Sequence, residues 1–119
     1  MQREIKFRAF DDGKMLSMPI SSNYGISSFF GILREDAVIM QFTGLKDKNG
    51  VEIYEGDIVR KKIELEGGLI DNFIVFYGEA GFDIIKIKPT GEVDMMYLKK
   101  YWKHSYEIIG NVFENPELI

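Results

Sequence analysis

The chain contains no cysteine, one histidine and three prolines among its 119 residues. Without cysteine it can form neither a disulfide framework nor a thiolate metal site, and it has no cysteine nucleophile. A single histidine is a poor basis for a metal site, because transition metals usually take several nitrogen or sulfur ligands. We therefore predict that the protein holds no metal, and the lack of cysteine fits a reducing cytoplasm.

Long apolar runs are also missing. No stretch approaches the roughly 18 residues that a membrane-spanning helix needs. The first residues, MQREIKFRAFDDG, carry charges throughout and have no apolar centre of the kind a secretory signal requires. The sequence therefore predicts a cytoplasmic protein, and its length predicts one domain over residues 1–119.

Recognisable catalytic patterns are absent as well. Neither the glycine-rich phosphate loop nor the dinucleotide fingerprint occurs. The only histidine, His104, lies directly beside Ser105, and neighbours in sequence do not provide the convergent geometry of a catalytic triad. Paired carboxylates occur only in predicted turns or at the ends of elements, where they commonly act as caps. We predict a protein without enzymatic activity and without a cofactor.

An excess of basic residues is also lacking, since the net charge is −4. Nucleic-acid-binding domains are usually basic, so nucleic acid is the less favoured partner. Residues 86–104 nevertheless hold five lysines against two acidic residues, with three aromatic residues among them. Aromatic side chains among cations are typical of single-strand binding surfaces. The alternative is an amphipathic segment that turns its aromatics inward. The lysines that could form such an interaction surface are Lys99, Lys100 and Lys103.

What the sequence does contain is a series of short β-type segments around Gln41–Arg60. Asn49-Gly50 is a strong hairpin signal because both residues tolerate positive φ. Gly56 is the residue of the next turn best suited to a left-handed conformation. Asp47 and Asn49 begin like a calcium loop, but Glu52 and Ile58 occupy positions that need glycine and glutamate, which favours a plain turn.

Other segments extend this pattern. Alternation over Glu4–Phe10 predicts a half-buried strand whose Lys6 and Arg8 lie on a solvated face. The run Phe73–Tyr77 predicts a strand buried on both faces, preceded by a turn at Asp71-Asn72. Tyr106–Phe113 predicts a closing strand, in which Gly110 marks a bulge or a close contact.

The spacing of the turns predicts a mostly β, or β-dominated α+β, fold. We expect a bent antiparallel sheet or a small, partly open barrel of roughly six to eight strands. The one short helix is predicted at Val93–Lys103, where Met95, Leu98 and Trp102 lie on one helical stripe.

The least regular stretch is residues 19–36, where Phe29, Phe30, Ile32 and Leu33 form an apolar cluster. Such a cluster either closes the core or forms an exposed interface for a partner. Phe29 and Phe30 are therefore candidate interaction residues, and an interface here would favour self-association.

Three segments carry a family resemblance. FTGLKDKNGVEIYEGDIV in the middle, REIKFRAFDDGKML near the start and YEIIGNVFENPELI at the end resemble the YopX family of bacteriophage and prophage proteins. The resemblance implies a mostly β protein made inside a bacterial cell, and it supplies no catalytic residues. We expect an accessory protein that binds itself or a host protein; the alternative is a nucleic-acid-binding module using residues 86–104.

Overall fold

A computed structural model describes residues 5–18, 25–63, 69–78, 81–87, 90, 92–97 and 106–119. Within these ranges the chain forms nine strands, one α-helix and a short 3₁₀ helix. The strands are β1 (Phe7–Asp11), β2 (Lys14–Ser17), β3 (Val38–Lys46), β4 (Glu52–Tyr54), β5 (Asp57–Ile63), β6 (Leu69–Gly78), β7 (Gly81–Ile87), β8 (Val93–Tyr97) and β9 (Tyr106–Asn111). The helices are α1 (Gly25–Ile32) and the 3₁₀ helix Pro116–Leu118. The mostly β class is confirmed, with nine strands rather than six to eight.

The strands form two antiparallel sheets. The first has the order β2-β1-β3-β4, and the second has the order β8-β7-β6-β5-β9. In the second sheet β5 to β8 follow one another as a meander, while β9 returns to pair with β5 on the opposite side. The second sheet is therefore completed by the pairing of β5 with β9, two strands that are far apart in sequence.

Turn residues occupy the conformations that the sequence predicted. Asp12 and Gly13, between β1 and β2, have φ values of 50° and 76°, a pair of positive values that suits a tight hairpin. Gly50 and Gly56 have φ values of 81° and 83°. Both predicted glycine turns are thus confirmed.

The turn between β4 and β5 connects the two sheets. The Gly56 N–H donates to the Val75 carbonyl at 2.8 Å, and the Gly56 carbonyl accepts from the Val112 N–H at 2.9 Å. Just before the turn, Ile53 of the first sheet is fully buried in the main core. The other buried members of that core all belong to the second sheet: Val59, Phe73, Val75, Ile84 and Tyr106.

Gly110 lies at a bulge where β9 pairs with β5. Ile58 is opposite Gly110 while Val59 is opposite Ile108, so one residue of β9 is left over. A Cβ atom on Gly110 would lie 2.5 Å from the Asn115 side-chain oxygen. Both parts of the expectation for this glycine, the bulge and the close contact, are confirmed.

The helix lies in the segment that the sequence described as irregular. Gly25–Ile32 is poor in strong helix formers, so local propensity gives little signal for it. The segment is held by tertiary contacts instead: Phe29 is only 2% exposed, and the Phe30 ring meets the Phe7 ring of β1 edge-on at 5.4 Å. Burial against the first sheet therefore overrides weak propensity here.

The helix predicted at Val93–Lys103 is wrong over its first five residues. Val93–Tyr97 forms β8, whose Asp94, Met95 and Met96 lie opposite residues 86, 85 and 84 of β7. The two-residue alternation of Val93, Met95 and Tyr97 competes with the helical stripe, and the open side of β7 supplies hydrogen-bond partners that favour the strand. The remainder of the predicted helix lies outside the described residues.

Two predictions for the sixth strand also need correction. Asp71 and Asn72 form no turn but lie within β6, opposite Lys61 and Arg60 of β5. Both side chains form interactions there. Asp71 forms an ion pair with Lys86, and the side-chain Nδ2 of Asn72 donates to the Leu118 carbonyl at 3.2 Å. Moreover, burial along Phe73–Tyr77 alternates, and Tyr77 is exposed.

Candidate functional site

The clearest candidate for a functional surface is a group of exposed apolar side chains on α1 and the start of β3. Phe30 is 38% exposed and Ile32 is 72% exposed, and both lie on α1. Val38 and Ile39, at the start of β3, are 41% and 44% exposed. We call Phe30, Ile32 and Ile39 the α1–β3 surface, whereas Val38, next to Ile39 along the strand, points to the other face of the sheet.

The pairing of β1 with β3 places the Ile39 side chain on the same side of the first sheet as α1. Phe7, which contacts Phe30, shares a face with Ala9, because alternate residues of a strand point the same way. Ala9 lies opposite Ile39 in the β1–β3 pair, so Ile39 faces the side on which α1 packs. The sequence pair Phe29-Phe30 is divided by the structure: Phe29 is buried, and Phe30 is exposed.

The sequence predicted the apolar cluster that contains Phe30 and Ile32, but it did not predict Val38 and Ile39 as surface residues. Val38 and Ile39 belong to the apolar run Ala37–Phe42, whose length predicts a strand and no more. The useful signal was that Val38, Ile39 and Met40 are all apolar, whereas a strand with one wet face would alternate. Consecutive apolar residues on such a strand leave one face with exposed apolar groups.

The prediction of a solvated cationic face at Lys6 and Arg8 is wrong. Lys6 forms an ion pair with Glu52 at 2.7 Å and lies over the Phe42 ring. Both cations are largely buried, because β1 lies inside its sheet between β2 and β3 and is covered by the β4–β5 region. The alternation of apolar and polar residues shows that Lys6 and Arg8 share one face of the strand. It does not show whether that face contacts water or a buried partner.

Arg8 forms the more deeply buried pair. Its guanidinium lies 2.8 Å from Asp57 Oδ1, and the side chains are 12% and 3% exposed. The same guanidinium donates to the Glu55 carbonyl and stacks over the Tyr54 ring. Asp57 Oδ2 accepts from the Tyr54 N–H at 2.7 Å. Burial raises the pKa of Asp57 above its ordinary value of 3.8, although the charge of Arg8 acts in the opposite direction. The pair connects the two sheets.

Asp47 holds a loop rather than a cation. Its Oδ1 accepts from the backbone N–H groups of Asn49 and Val51, both at 2.9 Å. Its Oδ2 accepts from the Ile108 N–H of β9 at 3.0 Å. Because both oxygens bind backbone donors, this carboxylate fixes the loop against the second sheet, as a structural turn requires.

The lysine-rich segment is only partly described. Lys86 is paired with Asp71 of the neighbouring strand, which is itself opposite Lys61, and Asp94 lies opposite Lys86 on the other side. Positive and negative residues thus alternate across β5, β6, β7 and β8. Lys99, Lys100, Lys103 and His104 lie outside the described residues.

In the described part of the chain, two buried carboxylates have an oxygen without a hydrogen-bond partner, Asp11 Oδ1 and Asp83 Oδ1. Asp11 lies on β1 and Asp83 on β7, so they belong to different sheets. Among the described residues, no group of three or more His, Asp or Glu side chains is placed to hold a metal ion.

None of the described helices is long and apolar enough to cross a membrane. The chain is similar to the structure titled "Crystal structure of protein EF1440 from Enterococcus faecalis", with 27% sequence identity and a TM-score of 0.65. The match covers 98% of this chain and 99% of the other. No curated protein matches the chain. The family described as YopX protein matches residues 6–119, and on this evidence the chain belongs to the YopX family.

Proposed function

We propose that this YopX-family chain is a phage or prophage accessory protein of the bacterial cytoplasm that acts by binding a protein rather than by catalysis. The bound protein is a second copy of the chain or a protein of the host cell. The observation that carries the proposal is the α1–β3 surface, with Ile32 as its most exposed residue at 72%. Phe30 and Ile39 lie on the same side of the first sheet, and groups of exposed apolar side chains on a small protein are typical of interaction sites.

The charged side chains support the same conclusion. Lys6, Arg8 and Lys86 are engaged in ion pairs with carboxylates. They are therefore poorly placed to bind an anionic substrate or a nucleic-acid backbone, which would have to displace those carboxylates. The α1–β3 surface is therefore favoured over these three cations as the recognition feature.

The test compares two single variants that introduce the same charge. Ile32→Lys places a cation in the α1–β3 surface, and its high exposure means that folding should tolerate the change. Val51→Lys is the matched control, because Val51 is also exposed but lies in the loop between β3 and β4. Both variants should have the circular dichroism and the thermal midpoint of the unmodified protein.

The unmodified protein and both variants are then used to capture proteins from a lysate of the bacterial host, with quantification by mass spectrometry. Light scattering measures self-association in parallel. We expect the unmodified chain and Val51→Lys to behave alike, and Ile32→Lys to lose at least one captured protein or the oligomer. Identical results for all three proteins would overturn the proposal.

A further inference from the structure

The loop between β3 and β4 covers the outer edge of β9. In the described part of the chain β9 is the last strand of the second sheet, so its side away from β5 pairs with no strand. On that side the Lys48 N–H donates to the Tyr106 carbonyl at 2.9 Å, and the Ile108 N–H donates to Asp47 Oδ2 at 3.0 Å. Unpaired strand edges are templates for association with other chains. The loop therefore satisfies two backbone groups that such an edge would otherwise expose.

Asp47 also holds the loop in the shape that reaches β9. The Gly50 N–H donates to the Asp47 carbonyl at 3.0 Å, which closes a four-residue turn. Asp47 Oδ1 accepts from the N–H groups of Asn49 and Val51, which lie on the far side of that turn. The turn and its attachment to β9 consequently depend on the same carboxylate.

The turn contains a chemically labile pair of residues. Asparagine is a thermolabile residue, because the next backbone nitrogen can attack its side-chain amide carbon, and a following glycine has no Cβ atom to hinder that attack. The chain has five asparagines, and only Asn49 precedes a glycine. Asn49 and Gly50 are both exposed, and a Cβ atom at Gly50 would meet nothing within 4 Å. By contrast, Asn111 is buried, and Asn115 precedes a proline, which has no N–H.

The reaction needs only water and hydroxide as co-reactants. Hydroxide removes the proton from the Gly50 nitrogen, which attacks Cγ of Asn49, so that the N–Cγ bond forms and the Cγ–Nδ2 bond breaks. Nδ2 takes a proton from water, which restores the hydroxide, and leaves as ammonia. Water then opens the five-membered ring. Opening at Cγ gives aspartate, whereas opening at the main-chain carbonyl gives isoaspartate, which lengthens the main chain by one carbon.

We propose that Asn49-Gly50 is a site of spontaneous deamidation and that the Asp47 carboxylate sets the rate by holding the turn closed. The Gly50 nitrogen is engaged while its N–H is bonded to the Asp47 carbonyl, so the reaction proceeds from the open turn. The isoaspartate product changes the main chain inside the turn and thereby detaches the loop from the edge of β9. The aspartate product leaves the main chain as it was. This site is separate from the α1–β3 surface and does not depend on the proposed function.

The test follows conversion at each asparagine by peptide mapping with mass spectrometry, at neutral and mildly alkaline pH. In the folded protein with its original sequence, Asn49 should convert faster than Asn72 and Asn111. Conversion of Asn49 should be faster still in guanidinium chloride, where the turn is open. A folded protein in which Asn49 converts no faster than Asn111 would overturn the proposal.

Two variants separate opening of the turn from unfolding of the whole domain. Asp47→Ala removes the two Oδ1 hydrogen bonds within the loop and should raise the rate at Asn49 by about tenfold or more. Arg8→Met is the control, because Arg8 binds Glu55 and Asp57 rather than this loop, and its loss lowers the stability of the whole domain. The rate in Arg8→Met should stay close to the original one, because local opening does not require global unfolding. Equal acceleration in both variants, or none in Asp47→Ala, would overturn the role of Asp47.

A second measurement keeps the proposal testable if Asp47→Ala fails to fold. Protein that contains isoaspartate is separated by chromatography from aged samples, and hydrogen exchange of the Ile108 amide is compared with that of fresh protein. The exchange should be faster in the isoaspartate fraction, because the loop no longer covers β9. Asn49→Asp is the control, since it reproduces the other product without a change in the main chain, and its Ile108 amide should exchange as slowly as in fresh protein. Unchanged exchange in the isoaspartate fraction would contradict the proposed detachment of the loop.

Discussion

The buried pair between Arg8 and Asp57 gives the most quantitative prediction. Replacing Arg8 with Met keeps the apolar stem but removes the cation from a carboxylate that is 3% exposed. Breaking a buried pair on one side costs about 3–5 kcal/mol, because the remaining charge is left without compensation. Small domains have only about 5–15 kcal/mol of stability in total. We therefore expect Arg8→Met to lose a large part of the free energy of unfolding.

The loss should depend on pH. Burial already raises the pKa of Asp57 above 3.8, and Arg8 opposes that rise. Without Arg8 the pKa should rise further, so the folded variant binds a proton more readily than the folded unmodified protein does. A raised folded pKa contributes stability that is present at low pH and is lost as the pH rises through that pKa. The deficit of Arg8→Met should therefore shrink when the pH is lowered from 7 towards 4.

Urea denaturation followed by far-UV circular dichroism at pH 7, 6 and 5 measures both effects. The control is Arg34→Met, since Arg34 is 59% exposed and pairs with the exposed Asp12 and Asp36. Such surface pairs contribute about 0–1 kcal/mol. A second variant, Arg8→Met with Asp57→Asn, removes both charges and should be more stable than Arg8→Met alone. A loss below about 1 kcal/mol, within the surface range, or a deficit independent of pH would refute this account.

Three further predictions follow from the turns and the charge distribution. Gly56→Ala should lower the free energy of unfolding by about 1–3 kcal/mol in urea denaturation, as expected for a strained backbone position. The loss should exceed that of Gly50→Ala, because a Cβ atom at Gly56 would lie 3.1 Å from Met40 Sδ whereas Gly50 has open space. Equal losses for the two variants would contradict this prediction. Asp47→Ala should lower the free energy of unfolding by about 3 kcal/mol, because three backbone N–H groups lose their acceptor at roughly 1 kcal/mol each. An unchanged urea midpoint would show that the loop does not depend on this carboxylate. Fluorescence anisotropy with labelled single- and double-stranded DNA should give no dissociation constant below about 10⁻⁵ M near physiological salt, which is the non-specific range. Saturable binding with a dissociation constant of about 10⁻⁷ M, far tighter than that range, would favour a nucleic-acid-binding module.

Elements defined by short-range chemistry were predictable from the sequence. The Asn49-Gly50 and Gly56 turns and the Gly110 bulge follow from what glycine permits at positive φ or in tight contact. Most strands of the second sheet follow from β-branched and aromatic runs between such turns.

Elements that depend on distant contacts were not predictable. The helix at Gly25–Ile32 has weak propensity and depends on packing against β1. The formation of β8 as a strand depends on its pairing with β7. The buried state of Arg8 depends on Asp57, 49 residues away in sequence. For the candidate site, the sequence identified Phe30 but not Ile39, because the position of Ile39 beside α1 results from the pairing of β3 with β1.

The order of strands in the second sheet has a consequence for synthesis of the chain on the ribosome. β5, β6 and β7 can form their hairpins as soon as they emerge, because neighbouring strands pair through short connections. β5 is complete at Ile63, yet its second partner begins only at Tyr106. Until that point one side of β5 is without its partner strand, and Ile58 and Val59, both fully buried in the finished fold, lack that cover. Unpaired strands with apolar residues are the species that aggregate or recruit chaperones during folding. The interval between these two strands is therefore when the nascent chain is most vulnerable.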